Sequence, residues 1–319
     1  MNNQSLTEAE IKRYAKVWPL AGNASQAIYA ATRSVISPAI EAADLAQPGL
    51  FYLLLTAQTF EPDPISAEII CRRYPYAAPQ IWDQRMVALV DRQLLARDGD
   101  QTYRLTEAGR AILSRITEMF YNQLGQIEQS LRTSIPAARI NTLFGYLGRI
   151  VKAALSAPID TSSLRHIHRA APGVDAPTLA HIDQALDDLN AFRDDAHLAA
   201  WRPHNISGHA WELFTFLWRG EVKNANEMVE KAAQRGHSLE AYQAGLNDLL
   251  QRGWIEPAGE NTYRVTETGK QLRQAAEDAT DRYFFTPWLV LNEAETNELH
   301  DLLTRLEISL KQLAEAVTT

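Results

Sequence analysis

Cysteine is almost missing from this 319-residue chain: Cys71 stands alone, which excludes an intramolecular disulfide framework and suits a reducing compartment. Long apolar runs are missing too, so no segment is expected to cross a bilayer. The opening Met1-Asn2-Asn3-Gln4-Ser5 lacks the basic patch and apolar stretch of a signal peptide. A cytoplasmic protein with no membrane partner is the expectation. Positive charge is in deficit, with 31 Lys and Arg against 39 Asp and Glu and a net charge of −8. That disfavours a generic polyanion binder, although local patches decide such binding more than the total does. Signatures of catalysis are also lacking: there is no Gly-rich phosphate loop, no Gly-x-Ser-x-Gly elbow and no recognisable carboxylate pair. No enzyme is expected. The histidines His166, His168, His197, His204 and His209 cluster in sequence but never take the His-Glu-x-x-His spacing, so neither a metal nor another cofactor is expected.

What the chain does have, it has twice. Tyr103-Arg104-Leu105-Thr106-Glu107-Ala108-Gly109 returns 160 residues later as Tyr263-Arg264-Val265-Thr266-Glu267-Thr268-Gly269. The same offset carries Phe51, Leu54, Trp82, Met86, Leu89 and Val90 onto Trp211, Phe214, Tyr242, Leu246, Leu249 and Leu250. It also carries Gly99 onto Gly259, with no insertion over roughly 60 residues. Two domains are expected, residues 1–159 and 160–319, joined through the Pro- and Ser-containing stretch 156–177.

Periodicity places the elements. Helices are predicted over 8–18 and 25–46, with Ala21-Gly22-Asn23-Ala24 as the break, then over 51–60 and 65–73. Pro79 opens the next helix, which buries Trp82, Met86, Leu89 and Val90 on one face. Strand-like runs 94–97 and 102–105 surround Asp98-Gly99, a hairpin signal. Thr106 is placed to cap the following helix, and Gly109, costly one turn in, implies close packing there. That helix carries Ile112, Ile116, Phe120, Leu124, Ile127 and Leu131; another from Pro136 carries Leu143, Leu147 and Ile150. The second half repeats the plan, with helices over 179–201, 210–218, 224–234 and 238–252 and a hairpin over 254–265 around Ala258-Gly259. After Thr286-Pro287 a last helix spaces Leu299, Leu303, Leu306, Leu310 and Leu313 like a coiled-coil seam. A second chain could pair through it, so a homodimer stays open beside a monomer.

Helix, helix, helix, hairpin, helix is the winged helix-turn-helix plan. The apolar third helix, the Gln93-Leu94-Leu95 to Thr106-Glu107-Ala108-Gly109 hairpin and the long helix after it resemble the MarR (multiple antibiotic resistance regulator) family. The resemblance implies a mainly α fold with small β-hairpin wings: a tandem winged helix-turn-helix with flanking dimerisation-type helices, in effect a MarR-type dimer fused into one chain with a pseudo-twofold. Its winged units would occupy about 48–125 and 208–285. It further implies a transcription regulator whose partner is double-stranded DNA. The third helix of the first unit would put Gln80 and Gln84 against adenine edges and Arg85 against guanine or phosphate. Arg72 and Arg73 would suit phosphates, and Arg97 and Arg104 flank the wing. In the second unit the candidate DNA-binding residues are Arg235, Gln243 and Arg264.

Two departures weaken the DNA reading, the second unit being less suited than the first. The wing tips, Asp98-Gly99-Asp100 and Ala258-Gly259-Glu260, carry acid where MarR-type wings carry an Asp-x-Arg arginine. Gln80, Gln84 and Ala88 are matched by Glu240, Ala244 and Asp248, and neither unit is basic. The alternative reading is therefore a winged-helix protein that no longer binds DNA and serves as a small-molecule-binding or protein-interaction module. For a small-molecule effector the candidate residues are Arg193, Trp201, Trp211 and Trp218, where a charge and aromatics converge. Cys71, between apolar residues and two arginines, reads as a buried thiol with a redox role as the alternative.

Overall fold

The computed structural model describes residues 6–318, with side chains as far as Glu315. The segment Met1-Asn2-Asn3-Gln4-Ser5, where no signal peptide is expected, lies outside the described residues. Among those residues, no helix is long and apolar enough to cross a membrane. They form thirteen α-helices and two two-stranded antiparallel sheets.

The first helix corrects one expectation. Helix α1 (Glu8–Ala42) opens on a capping box of Thr7 and Glu10 and runs unbroken through Ala21-Gly22-Asn23-Ala24. Local propensity favours a break there, but Ala21 and Ala24 are fully buried, and their small side chains belong to the core that α1 shares with α13 (Glu293–Thr318). Asn23 faces the same way and donates from Nδ2 to Glu307 Oε2 at 3.1 Å. Tertiary contact overrides the weak local preference.

The order helix, helix, helix, hairpin, helix then occurs twice. Its first occurrence is α2 (Leu50–Phe60), α3 (Ala67–Arg73), α4 (Pro79–Asp91), β1 (Leu95–Arg97), β2 (Tyr103–Leu105) and α5 (Glu107–Leu131). Its second, after α6 (Ala137–Ala154), α7 (Ser162–His168) and α8 (Thr178–Trp201), is α9 (Gly208–Trp218), α10 (Ala225–Lys231), α11 (Leu239–Gln251), β3 (Ile255–Gly259), β4 (Thr262–Val265) and α12 (Glu267–Phe285). The hinge of each unit is atom-for-atom alike. Thr106 and Thr266 accept from the Gly109 and Gly269 amides at 3.0 and 3.1 Å, and both hydroxyls donate 2.7 Å bonds to a carbonyl 13 residues back. Both glycines lie where a Cβ would run into a backbone carbonyl, that of Leu94 or of Trp254.

Elsewhere the correspondence slips. Burial on α2 and α9 keeps the offset of 160: Leu50, Leu53, Leu54 and Ala57 answer to Ala210, Leu213, Phe214 and Leu217. On the next helix the offset is 158, because the caps Ser66 and Asn224 and the buried pairs Ala67, Ile70 and Ala225, Met228 correspond. The uninterrupted match read from the sequence is therefore broken by two residues lost before α10. They are regained in the longer turn after it, where a 3-10 turn, Ala233–Arg235, is inserted. The second hairpin also turns later than expected: Gly259 pairs with Thr262 beyond a bulge, so Glu260 and Asn261 form the turn. Residues 156–177 are not a plain linker either, since α7 lies within them, its Ser163 and Leu164 amides bound by the carboxylate of Asp195 at 3.0 and 2.9 Å.

Each helix-hairpin unit has a core of its own. A third core, the largest, draws on both halves of the chain: α1, the end of α5, α6, α8, the end of α12 and α13. Helix α8 lies at its centre and buries residues on several sides, from Leu179 to Trp201. It is not apolar throughout: its buried carboxylates, Asp188 and Asp195, accept hydrogen bonds from Gln184 and from the Ser163 and Leu164 amides.

Candidate nucleic-acid interface

Helix α4 presents the surface expected to read DNA. Pro79 begins it, where a missing amide costs nothing, and Met86 and Leu89 turn fully inward. That leaves Gln80, Gln84 and Val87 exposed. On α11 the inward face is Tyr242, Gly245, Leu246 and Leu249, leaving Glu240, Gln243, Ala244 and Asn247 exposed. Gln80, Gln84 and Gln243 are thus free side chains on two parallel-built helices.

The arginines are placed differently from one another. Arg72 is exposed and pairs with Glu68 one turn back at 3.1 Å. Arg73 turns away from solvent to Asp194 of α8, donating from Nε and Nη2 to one oxygen at 3.3 and 3.1 Å. Arg85 lies back over Gly49 and the Trp82 ring, 5.0 Å from its centroid, rather than beside Gln80 and Gln84. In the wings, Arg97 is exposed beside the Tyr103 ring, Arg104 pairs with Asp98 at 2.5 Å, and Arg264 pairs with Glu256 at 2.7 Å. Arg235 donates two bonds to Glu212 Oε1, at 3.0 and 2.8 Å, and lies over the Tyr76 ring. Sequence spacing finds these guanidiniums but not their carboxylates, which lie up to 121 residues away.

The two units meet at the N-terminal ends of α4 and α11. The Ala78 amide, at the cap of α4, donates to the Arg235 carbonyl at 2.8 Å. His237 Nε2 donates to the Tyr76 carbonyl at 2.9 Å; the acceptor is a carbonyl, so Nε2 carries the hydrogen. The Tyr76 hydroxyl accepts from Trp201 Nε1 at 3.1 Å, and Arg202 donates to the Arg72 carbonyl. Contact is close enough that Gly208 has no room for a Cβ against the Pro75 carbonyl, nor Gly236 against the Ile81 side chain. His209 lies against His237, ring centroids 4.6 Å apart. Burial lowers the basicity of both, and their mutual proximity lowers that of His209 further.

Beneath this junction is a cleft of about 320 Å³ lined by Tyr76, Arg193, His197, Trp211, Glu212 and Arg273 among others. It brings two of the four expected ligand residues together, Arg193 and Trp211. Trp201 stacks behind Trp211 at 5.6 Å, and Trp218 lies under Arg273 at 5.2 Å. Arg273, which no local sequence signal singles out, is 1% exposed, pairs with Glu277 at 2.5 Å and covers the Trp211 ring at 5.0 Å. His197 is held neutral, its pKa pushed down to about 4 by burial and then by Arg273. Cys71 is half-buried; burial and the nearby Asp83 push its thiol up, away from the reactive thiolate.

A helix-turn-helix family model matches residues 118–314, from the middle of α5 to α13, and so includes the second unit and most of the central helices. No curated protein and no solved structure matches the chain. The match takes in more than half of the sequence and contains the α10–α11 pair with its turn and hairpin. The chain belongs to the helix-turn-helix family.

Proposed function

We propose that the protein is a DNA-binding transcription regulator, non-enzymatic and cytoplasmic, built as two MarR-like winged-helix halves fused by duplication. Its first half is the principal reader. The observation that carries this reading is the surface of α4, where Gln80 and Gln84 stand exposed on a helix whose opposite face is locked into the core. Glutamine pairs bidentately with adenine in the major groove. On α11 the matching surface begins with Glu240, which phosphates repel, so the second half contributes less. The doubled Thr-Glu-x-Gly hinge and its matched hydrogen bonds support the duplication. A small-molecule effector in the Tyr76–Arg273 cleft would act by favouring one spacing of the two units over another, which requires different affinity for the two arrangements. Binding to sheared genomic duplex, followed by anisotropy over a salt series, tests the reading. Binding that weakens steeply with salt and is lost on Gln80→Ala/Gln84→Ala with Arg72→Ala supports it; no binding at low salt sinks it.

The second reading, a module for ligand or protein contact that has left DNA, is favoured by one specific observation. Arg104 and Arg264 are each neutralised within their own hairpin, by Asp98 and by Glu256. On this reading the same titration shows no duplex binding at any salt concentration.

A further inference from the structure

The seating of one unit's turn in the other has a consequence for how DNA is reached. A dimeric helix-turn-helix reader enters successive major grooves about 34 Å apart with the N-terminal residues of its two recognition helices. Here Ala78 and Arg235 are bonded at 2.8 Å; Gln80 follows Ala78 by two residues and Glu240 follows Arg235 by five. Seven residues span at most about 25 Å even when fully extended, and most of these are helical. The two reading ends are therefore held too close for two grooves.

We propose that the seated turn, residues 74–78, is an autoinhibitory latch, and that two-groove DNA binding by this chain requires its release. The proposal rests on the DNA-binding reading above. The latch is directional in its build. The first unit supplies backbone, the carbonyls of Arg72, Pro75 and Tyr76 and the amide of Ala78, together with the side chains of Arg73 and Tyr76. The rest of the chain supplies the socket: Asp194, Trp201 and Arg202 from the end of α8, Gly208 from α9, and Arg235 and His237 from the turn before α11. Two features of this socket are shaped to the first unit's turn. Gly208 is the first residue of α9, where alanine would be the better helix former, yet only glycine admits the Pro75 carbonyl. The turn around Gly236 is two residues longer than its counterpart, and the added length reaches Ala78 and Tyr76.

The test uses the full chain. Gly208→Ala improves α9 locally and blocks the seat; His237→Ala removes one bond without adding bulk and serves should the first variant fold poorly. Spin labels on Asp91→Cys and Gln251→Cys, at the far ends of α4 and α11 in a Cys71→Ser background, report the spacing of the units. Unlabelled proteins are titrated with sheared genomic duplex. The expected result is a longer label distance and at least tenfold tighter DNA binding in the variants than in the parent. An unchanged distance in both variants overturns the latch. A longer distance with parent-like DNA affinity overturns its inhibitory role while leaving the DNA reading intact. A longer distance with no DNA binding by parent or variant overturns both.

Discussion

Arg104 reaches across its hairpin to Asp98 at 2.5 Å, and 160 residues later Arg264 makes the equivalent contact with Glu256 at 2.7 Å. Each wing thus pairs one arginine with an acid of its own hairpin, while Arg97 of the first wing stays exposed beside the Tyr103 ring. Salt bridges this exposed contribute little to stability, about 0–1 kcal/mol. Their effect is on the field that a phosphate would meet. Asp98→Asn with Glu256→Gln should leave the melting temperature nearly unchanged and tighten duplex binding. The slope of log K against log salt should steepen by about one per freed arginine. A slope identical to the parent's would show that the wings never touch the backbone of DNA.

Gly109 and Gly269 sit against carbonyl oxygens rather than yielding side chains. Alanine normally stabilises a helix over glycine by about 1 kcal/mol. At these two sites the added methyl must move the strand before it, and overpacking of that kind costs about 1–3 kcal/mol. Either glycine-to-alanine change should lower stability in urea denaturation, in contrast to Gly22→Ala, where the space around the Cβ is open. Stabilisation at position 109 or 269 would contradict the described packing.

Arg273 separates packing from charge. Its guanidinium lies between the Trp211 and Trp218 rings and pairs with Glu277, which keeps some contact with solvent. Arg273→Ala removes both the pair and the filler, and should cost about 3 kcal/mol. Arg273→Met keeps most of the volume and lets Glu277 turn outward, so its loss should be under about 1.5 kcal/mol. Equal losses in the two variants would show that the charge, not the stack, holds the site together.

Acid should loosen the cleft, and the sign can be followed from His197. Its folded pKa of about 4 lies below the unfolded value of 6.5, so between those values the unfolded chain binds more protons. Its contribution to stability is therefore full above pH 6.5 and is lost as pH falls toward 4. Buried carboxylates such as Asp194 and Asp195 are shifted upward and act in the opposite sense. The comparison to make is between parent and His197→Gln: the variant's melting temperature should fall less between pH 6.5 and 4. Parallel curves would place the titration elsewhere.

The sequence is most legible where structure is local. The first hairpin, the threonine caps and the tight glycines depend on residues within a few positions and are found where spacing puts them, whereas a bulge moves the turn of the second hairpin on to Glu260-Asn261. The unbroken α1 is not legible, because Ala21-Gly22-Asn23-Ala24 is stabilised by a helix roughly 280 residues away, beyond the reach of any propensity argument. The same holds for the interface arginines. Arg73 and Arg235 look like phosphate ligands in sequence because nothing nearby reveals Asp194 and Glu212 as their partners. Asp195 likewise carries no local sign that it holds the amides of Ser163 and Leu164 in α7. The junction of the two units is not legible for the same reason, since Trp201, Arg202 and His237 find their partners 125 to 161 residues away.

The pairing of α1 with α13 also sets an order of events during synthesis. The groove on α1 that receives Leu299, Leu303 and Leu306 is made first and filled last. Every residue between them has been translated by then, including both helix-hairpin units. The α13-facing stripe of α1 therefore stays without that partner until α13 is made. Because so distant a contact must close before the central core is complete, the helix-hairpin units should acquire protection from hydrogen exchange before α1 does.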